Sequence, residues 1–253
     1  MMTLLSILVL LVAAGLPALI WLIFVRAEDC HPGPIRLLLY TFAVGALVSL
    51  PALAVQLLLQ RLLPESLSSA LVLITGLAVI EEVFKFIAVY WAINKNLTLD
   101  EPIDAMVYTI AGALGFATVE NLFIIGRSLD LANLSSLGES AETLLLRFVG
   151  ATLLHMLAGA VVGYYWARGR LVLRGLKDRV HTSFAECLVV GLVLASVIHI
   201  IFNYLVLSFQ DQNNLLYPSL FLIGVTFFVI EDFERLRDRP DATLPPGINV
   251  PDA

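Results

Sequence analysis

The sequence predicts an all-α fold, a polytopic transmembrane helical bundle of about seven spanning helices, and three observations carry that prediction. Of the 253 residues, 59% are hydrophobic and only 14% are charged, and the mean hydropathy is +0.91. One soluble core could not bury so much apolar side chain. The apolar residues also fall into seven runs close to the 20 or so residues that cross a bilayer as a helix. Between the runs stand short stretches with turn-forming chemistry.

The first run, Thr3 to Val25, has the apolar centre of a signal peptide and a small-residue patch at Val12, Ala13 and Ala14. It lacks a basic leader and stays apolar past that patch, which predicts a retained helix. His31 to Pro34, HPGP, separates it from the second run, Leu37 to Gln60. LPES, Leu63 to Ser66, precedes the third, Leu67 to Ile93, and NKNLTLDEP, Asn94 to Pro102, precedes the fourth, Ala105 to Gly126. The polar Arg127 to Thr143 segment leads to the fifth, Leu144 to Ala167, followed by Cys187 to Ser208 and Leu215 to Ile230. The chain therefore reads as one transmembrane domain over residues 1–231, with a Pro-rich, disordered cytoplasmic tail over 232–253.

Basic residues set the orientation. Arg26, Arg36, Lys95, Arg168, Arg170, Arg174, Lys177, Arg179, Arg235, Arg237 and Arg239 lie on one side of the predicted bundle, against Arg61 and Arg127 on the other. The positive-inside rule then predicts an N-terminus outside and a C-terminus in the cytoplasm. The net charge of -6 and the absence of a basic patch beyond these loops argue against a nucleic-acid partner; the lipid bilayer is the surrounding medium. Cys30 and Cys187 have no metal-ligand spacing and read as ordinary thiols.

The ionisable groups inside the runs are unevenly placed. The third run holds Glu81, Glu82 and Lys85, the fourth Glu120 beside Asn121, the fifth His155, and the sixth His199 with Asn203. At a rise of about 1.5 Å per residue, Glu81, Glu82 and His155 fall within about 3 Å of their helix midpoints, His199 about 3 Å and Glu120 roughly 7 Å to the outer side. Lys85 follows Glu81 by four residues and Glu82 by three, so one helical face can join them. Asn203 lies one turn beyond His199. Ala151, His155, Gly159 and Gly163 form a stripe that admits a close neighbouring helix, and Gly112 and Gly115 do the same ahead of Phe116 and Glu120.

Each of these features has a plainer structural reading: a neutralising Glu–Lys pair, a histidine or asparagine acting as interhelical hydrogen-bond glue, a packing stripe. Two adjacent carboxylates beside one lysine are harder to explain that way, because one carboxylate remains uncompensated. Isolated charges in hydrocarbon cost about 2.5–3.5 kcal/mol each on insertion scales, so the groups are expected to meet around a shared wet cavity. Glutamates, two histidines and a carboxamide, with no Ser–His or Cys–His dyad, suit the activation of water. The histidines can bind a divalent metal with a glutamate as third ligand, or stabilise an oxyanion without one. Buried Glu, Lys and His also suit a proton- or cation-coupled transporter, and a catalytically silent membrane scaffold could keep the same bundle.

Four ordered motifs carry a resemblance: EEVFK from Glu81, GFATVEN ending at Asn121, HMLAG from His155 and HIIFN from His199. Together they resemble the PrsW family of intramembrane proteases and, more distantly, the CAAX-prenyl endopeptidases. The resemblance implies an endopeptidase of the plasma membrane that cuts a membrane-anchored protein, an anti-sigma factor in the family's named member. It implies Glu81 and Glu82 as the water-activating pair, His155 and His199 as metal ligands or electrophilic partners, Glu120 as third ligand and Asn203 as oxyanion donor. Lys85, Phe116 and Asn121 would support the site, and the implied cofactor is a divalent metal, Zn2+ being the expected ion, with a metal-free glutamate mechanism as the alternative.

Overall fold

The structure is a computed structural model that describes residues 4–64, 69–93, 101–128, 147–173, 183–209 and 216–237. It is a bundle of seven α-helices, with no strand among the described residues. The helices are α1 (Leu4–Glu28), α2 (Ile35–Leu62), α3 (Ala70–Ile93), α4 (Pro102–Ser128), α5 (Leu153–Leu173), α6 (Phe184–Phe209) and α7 (Leu216–Arg237). A π-helical turn, Arg147–Thr152, leads into α5. Five helices are apolar and long enough to cross a membrane. The other two, α3 and α5, hold the Glu81, Glu82 and Lys85 triplet and, in α5, His155, Arg168 and Arg170.

Local chemistry explains several helix ends. Pro34 precedes α2, and its carbonyl accepts from the Leu37 amide at 3.0 Å. The HPGP link is pinned by Arg26, whose Nη1 donates to the Gly33 carbonyl at 2.9 Å. Pro102 occupies the first position of α4, where its missing N–H is not needed. At the start of α6, Ser183 and Glu186 exchange backbone-to-side-chain hydrogen bonds of 3.2 Å, a capping box that begins the helix three residues before the apolar run predicts. The last helix continues to Arg237, six residues into the predicted tail; residues 238–253, like the Arg127 to Thr143 segment beyond Ser128, lie outside the described residues.

Helices α4 and α5 form the centre. Residues 102–117 of α4 and 154–164 of α5 are buried on every side. Around them, α1 and α2 pack on α4, α6 and α7 on α5, and α3 sits between α2 and α6 while also touching α4 and α5. The outer helices present Leu47, Ile23, Phe227 and Phe228, 66–70% exposed, as a lipid-facing coat. Lipid tails are as apolar as these side chains, so association within the bundle depends on close packing. Glycines supply it. A Cβ on Gly45 would strike the Gly112 carbonyl, one on Gly115 the Phe42 carbonyl, and one on Gly163 the Thr109 hydroxyl and Met106 backbone. Gly159 approaches Ala113 in the same way, so the small-residue stripes of α4 and α5 have the packing role that their spacing predicts.

Gly115→Ala is expected to separate α2 from α4 and to destabilise the bundle by about 1–3 kcal/mol. Thermal unfolding in detergent should shift down by roughly 5 °C. Gly224→Ala, where the added carbon meets nothing within 4 Å, should leave the midpoint unchanged or raise it.

Candidate active site

The buried face of α3 runs through Ile74, Ala78, Glu81, Glu82, Lys85 and Val89, at helical spacing. It places three ionisable side chains inside the bundle: Glu81, Glu82 and Lys85 are 7%, 1% and 4% exposed. Opposite them, α5 supplies His155 and α6 supplies His199, both buried. Helix α4 supplies Glu120 at the end of its fully buried stretch, where the carboxylate is 29% exposed. Four of the helices thus deliver side chains to one cluster, as the shared depth of these residues predicts.

Lys85 Nζ donates to Glu82 Oε1 at 2.6 Å and to His155 Nδ1 at 2.9 Å. A lysine ammonium only donates, so His155 Nδ1 accepts and the ring proton resides on Nε2. That Nε2 donates to Glu120 Oε2 at 2.6 Å. His199 is held the other way round: its Nδ1 donates to Glu82 Oε1 at 2.7 Å, leaving the Nε2 lone pair directed elsewhere. Nε2 lies 3.7 Å from Glu81 Oε2. The two imidazoles meet edge to face, 5.3 Å between centroids.

The two adjacent glutamates are therefore unequal. Glu82 Oε1 accepts from both Lys85 and His199 and is the anchor of the cluster. Glu81 accepts from Gln56 Nε2 on Oε1 at 2.8 Å, while its Oε2 is buried with no hydrogen-bond partner. A buried carboxylate oxygen without a donor is costly unless something else satisfies it. Glu81, His155 and His199 each offer one ligand atom, and these atoms lie within 4.8 Å of one another. Two imidazoles, a carboxylate and an open fourth position are the donor set of a catalytic divalent metal. The third member of this group is Glu81; Glu120, which the resemblance implies as third ligand, lies 2.6 Å from His155 Nε2. A void of about 10 Å³, lined by Glu82, Lys85, Thr109 and Gly159, adjoins the cluster and has room for about one water.

Phe116 packs beside the site, its ring 5.3 Å from Lys85 Nζ and 5.9 Å from His155. Asn203 is half-buried one turn after His199. Asn121 directs its amide to Thr152 Oγ1 at 3.0 Å and to the Ala14 carbonyl at 3.3 Å, tying α4 to α1 and to the π-helical turn ahead of His155. Gln56 was not among the residues that the sequence singled out. The signal was present: it continues the α2 stripe Leu38, Thr41, Gly45, Ser49 and Ala52, the one buried face of an otherwise lipid-facing helix.

Residues 33–230 match the family model described as PrsW family intramembrane metalloprotease. The chain is 27% identical over 218 residues to a protein named Protease PrsW from Oceanobacillus iheyensis, covering 85% of this chain and 91% of that one. It is 24% identical to Protease PrsW of Geobacillus kaustophilus, over 88% and 90% of the two chains, and 23% identical to that of Bacillus subtilis, over 90% and 95%. No solved structure matches. The matched region contains every residue of the cluster, from Gln56 to His199, and the chain belongs to the PrsW family of intramembrane metalloproteases, which makes it a multi-pass membrane peptidase.

Proposed function

We propose that the cluster hydrolyses a peptide bond of a membrane-anchored protein, an anti-sigma-factor-like substrate by family resemblance, in a plasma membrane that the chain crosses with its N-terminus outside. The observation that carries this reading is Glu81 Oε2, buried without a donor and facing His199 Nε2. Glu81, His155 and His199 would hold the divalent ion, Zn2+ by the nature of the donors; His155 would join through Nε2 by taking a proton from Lys85 on Nδ1 while its Nε2 proton leaves to solvent, so that Glu120 stays a carboxylate. When bound, such an ion polarises the scissile carbonyl and acidifies a water.

The remaining steps belong to the chain. Glu82 orients His199 through Nδ1, a carboxylate–histidine pairing that directs Nε2 to the reaction centre. Glu120, the most exposed carboxylate of the cluster, takes the proton of the attacking water. The water oxygen bonds to the carbonyl carbon, the C–N bond breaks, and the proton on Glu120 passes to the departing amine. The Asn203 side-chain N–H donates to the carbonyl oxygen as negative charge develops there.

A second reading follows from His155, both of whose ring nitrogens already have partners, Lys85 and Glu120. In it no ion is needed, and Glu81 Oε2 itself takes the water proton, with His199 beside it as the electrophile.

Purified protein in proteoliposomes, given a membrane-anchored model peptide, separates these readings. Under the first, chelation stops cleavage and Zn2+ restores it, while Glu120→Gln retains the ion but cleaves about 100-fold more slowly. Chelator-resistant cleavage selects the second. Ion flux across the vesicles without cleavage would mean a transporter, and partner capture without cleavage a scaffold.

A further inference from the structure

We infer that Gln56 is a positioning residue of the peptidase: its side-chain amide fixes the Glu81 carboxylate so that Oε2 is presented to the reaction centre. The inference rests on the functional reading above and holds in both of its forms.

Gln56 belongs to α2, which contributes no ionisable group to the cluster. Its Nε2 donates to Glu81 Oε1 at 2.8 Å and to the Leu77 carbonyl at 3.3 Å. Leu77 is one turn before Glu81 on α3, so the amide bridges a full turn of that helix and the side chain projecting from it. Both N–H groups are used, and a planar amide held at two points has no freedom to swing away. Glu81 is consequently held by one oxygen, and the other, Oε2, is left without a donor.

Without Gln56, no hydrogen bond among the described residues would fix which oxygen of Glu81 is turned toward His199. The carboxylate could rotate about its last bond or withdraw toward other donors, and the oxygen facing His199 Nε2 at 3.7 Å would lose its fixed place. Packing between α2 and α3 does not account for the amide. The neighbouring positions of the same stripe, Ala52, Ser49 and Gly45, fit α2 into the bundle with small side chains, and a leucine or methionine would fill the Gln56 position in an apolar medium equally well. An amide there is explained by the carboxylate that it meets. Gln56 touches neither water nor substrate in this scheme and acts through Glu81 alone.

The test uses the full chain in proteoliposomes, with Gln56→Leu and the unbranched Gln56→Met as variants that lack donors. Ser49→Ala serves as control, because Ser49 Oγ bonds only to the Ala46 carbonyl of its own helix. Zn2+ affinity is measured by chelator competition, and kcat and KM on a membrane-anchored peptide. Both Gln56 variants should bind Zn2+ some 10- to 100-fold more weakly and lose kcat by a similar factor, with KM within about twofold of wild type. Ser49→Ala should match wild type. Wild-type kcat and Zn2+ affinity in both Gln56 variants, or a raised KM with kcat intact, would overturn the inference while leaving the peptidase reading in place. A wild type that neither binds Zn2+ nor cleaves would instead defeat the reading on which it rests, and where cleavage proves independent of metal, the kcat comparison alone decides.

Discussion

Glu81→Gln is expected to reduce peptide cleavage by about 10³-fold while leaving the protein as stable as wild type, or more so. The substitution is close to isosteric. A glutamine carbonyl oxygen can still accept from Gln56 Nε2, so the 2.8 Å contact between α2 and α3 survives. What disappears is Oε2 as an anionic oxygen, the atom that is buried without a donor. That atom is a burden to the fold and is needed only for chemistry, whether as ligand or as proton acceptor. Opposite signs in activity and stability are the signature of a functional site that holds stored cost. Glu82→Gln gives the contrast: Glu82 Oε1 accepts from two donors, so its neutralisation should lower both activity and the unfolding midpoint. The pair of assays is kcat in proteoliposomes and thermal unfolding in detergent. A Glu81→Gln protein that keeps more than a tenth of wild-type kcat would remove Glu81 from the reaction.

The difference between these neighbours shows where a sequence stops being informative. Spacing of three and four residues brings Lys85 under both glutamates, and shared depth aligns His155 and His199 with them; both properties are set by helical geometry within single helices. Adjacent residues, however, project about 100° apart, and what each one meets depends on which helix packs on that side. Glu82 faces α5 and α6 through Lys85 and His199, whereas Glu81 faces α2 through Gln56. That arrangement is tertiary, and no spacing encodes it. For the same reason spacing alone could not show that Glu81 Oε2 comes within 3.7 Å of His199 Nε2, or that Glu120 meets His155. Asn121 was legible as a polar residue next to Glu120, but its target, the Ala14 carbonyl of α1, lies 107 residues away in sequence. Helix ends were misplaced where polar capping extended an apolar run, as Ser183 and Glu186 do for α6.

Lys85→Met should produce the largest loss of stability of any single change in the cluster, about 3–5 kcal/mol. Lys85 is 4% exposed and lies between Glu82, 1% exposed, and His155. Methionine matches its length and suits its apolar surroundings beside Phe116, so packing is retained and the electrostatic loss is isolated. Glu82 keeps only the His199 donor on Oε1, and His155 Nδ1 loses the donor that sets its tautomer. Breaking a buried pair from one side is far more damaging than removing both partners, because the remaining charge stays buried without its counterpart. The double variant Glu82→Gln with Lys85→Met should therefore recover a large share of the midpoint lost by Lys85→Met, although it stays inactive. Non-additivity of 1 kcal/mol or more across the four proteins of this cycle would establish that the pair acts as one unit. Additive losses would show that Lys85 acts elsewhere, and the tautomer assigned to His155 would then lack its support.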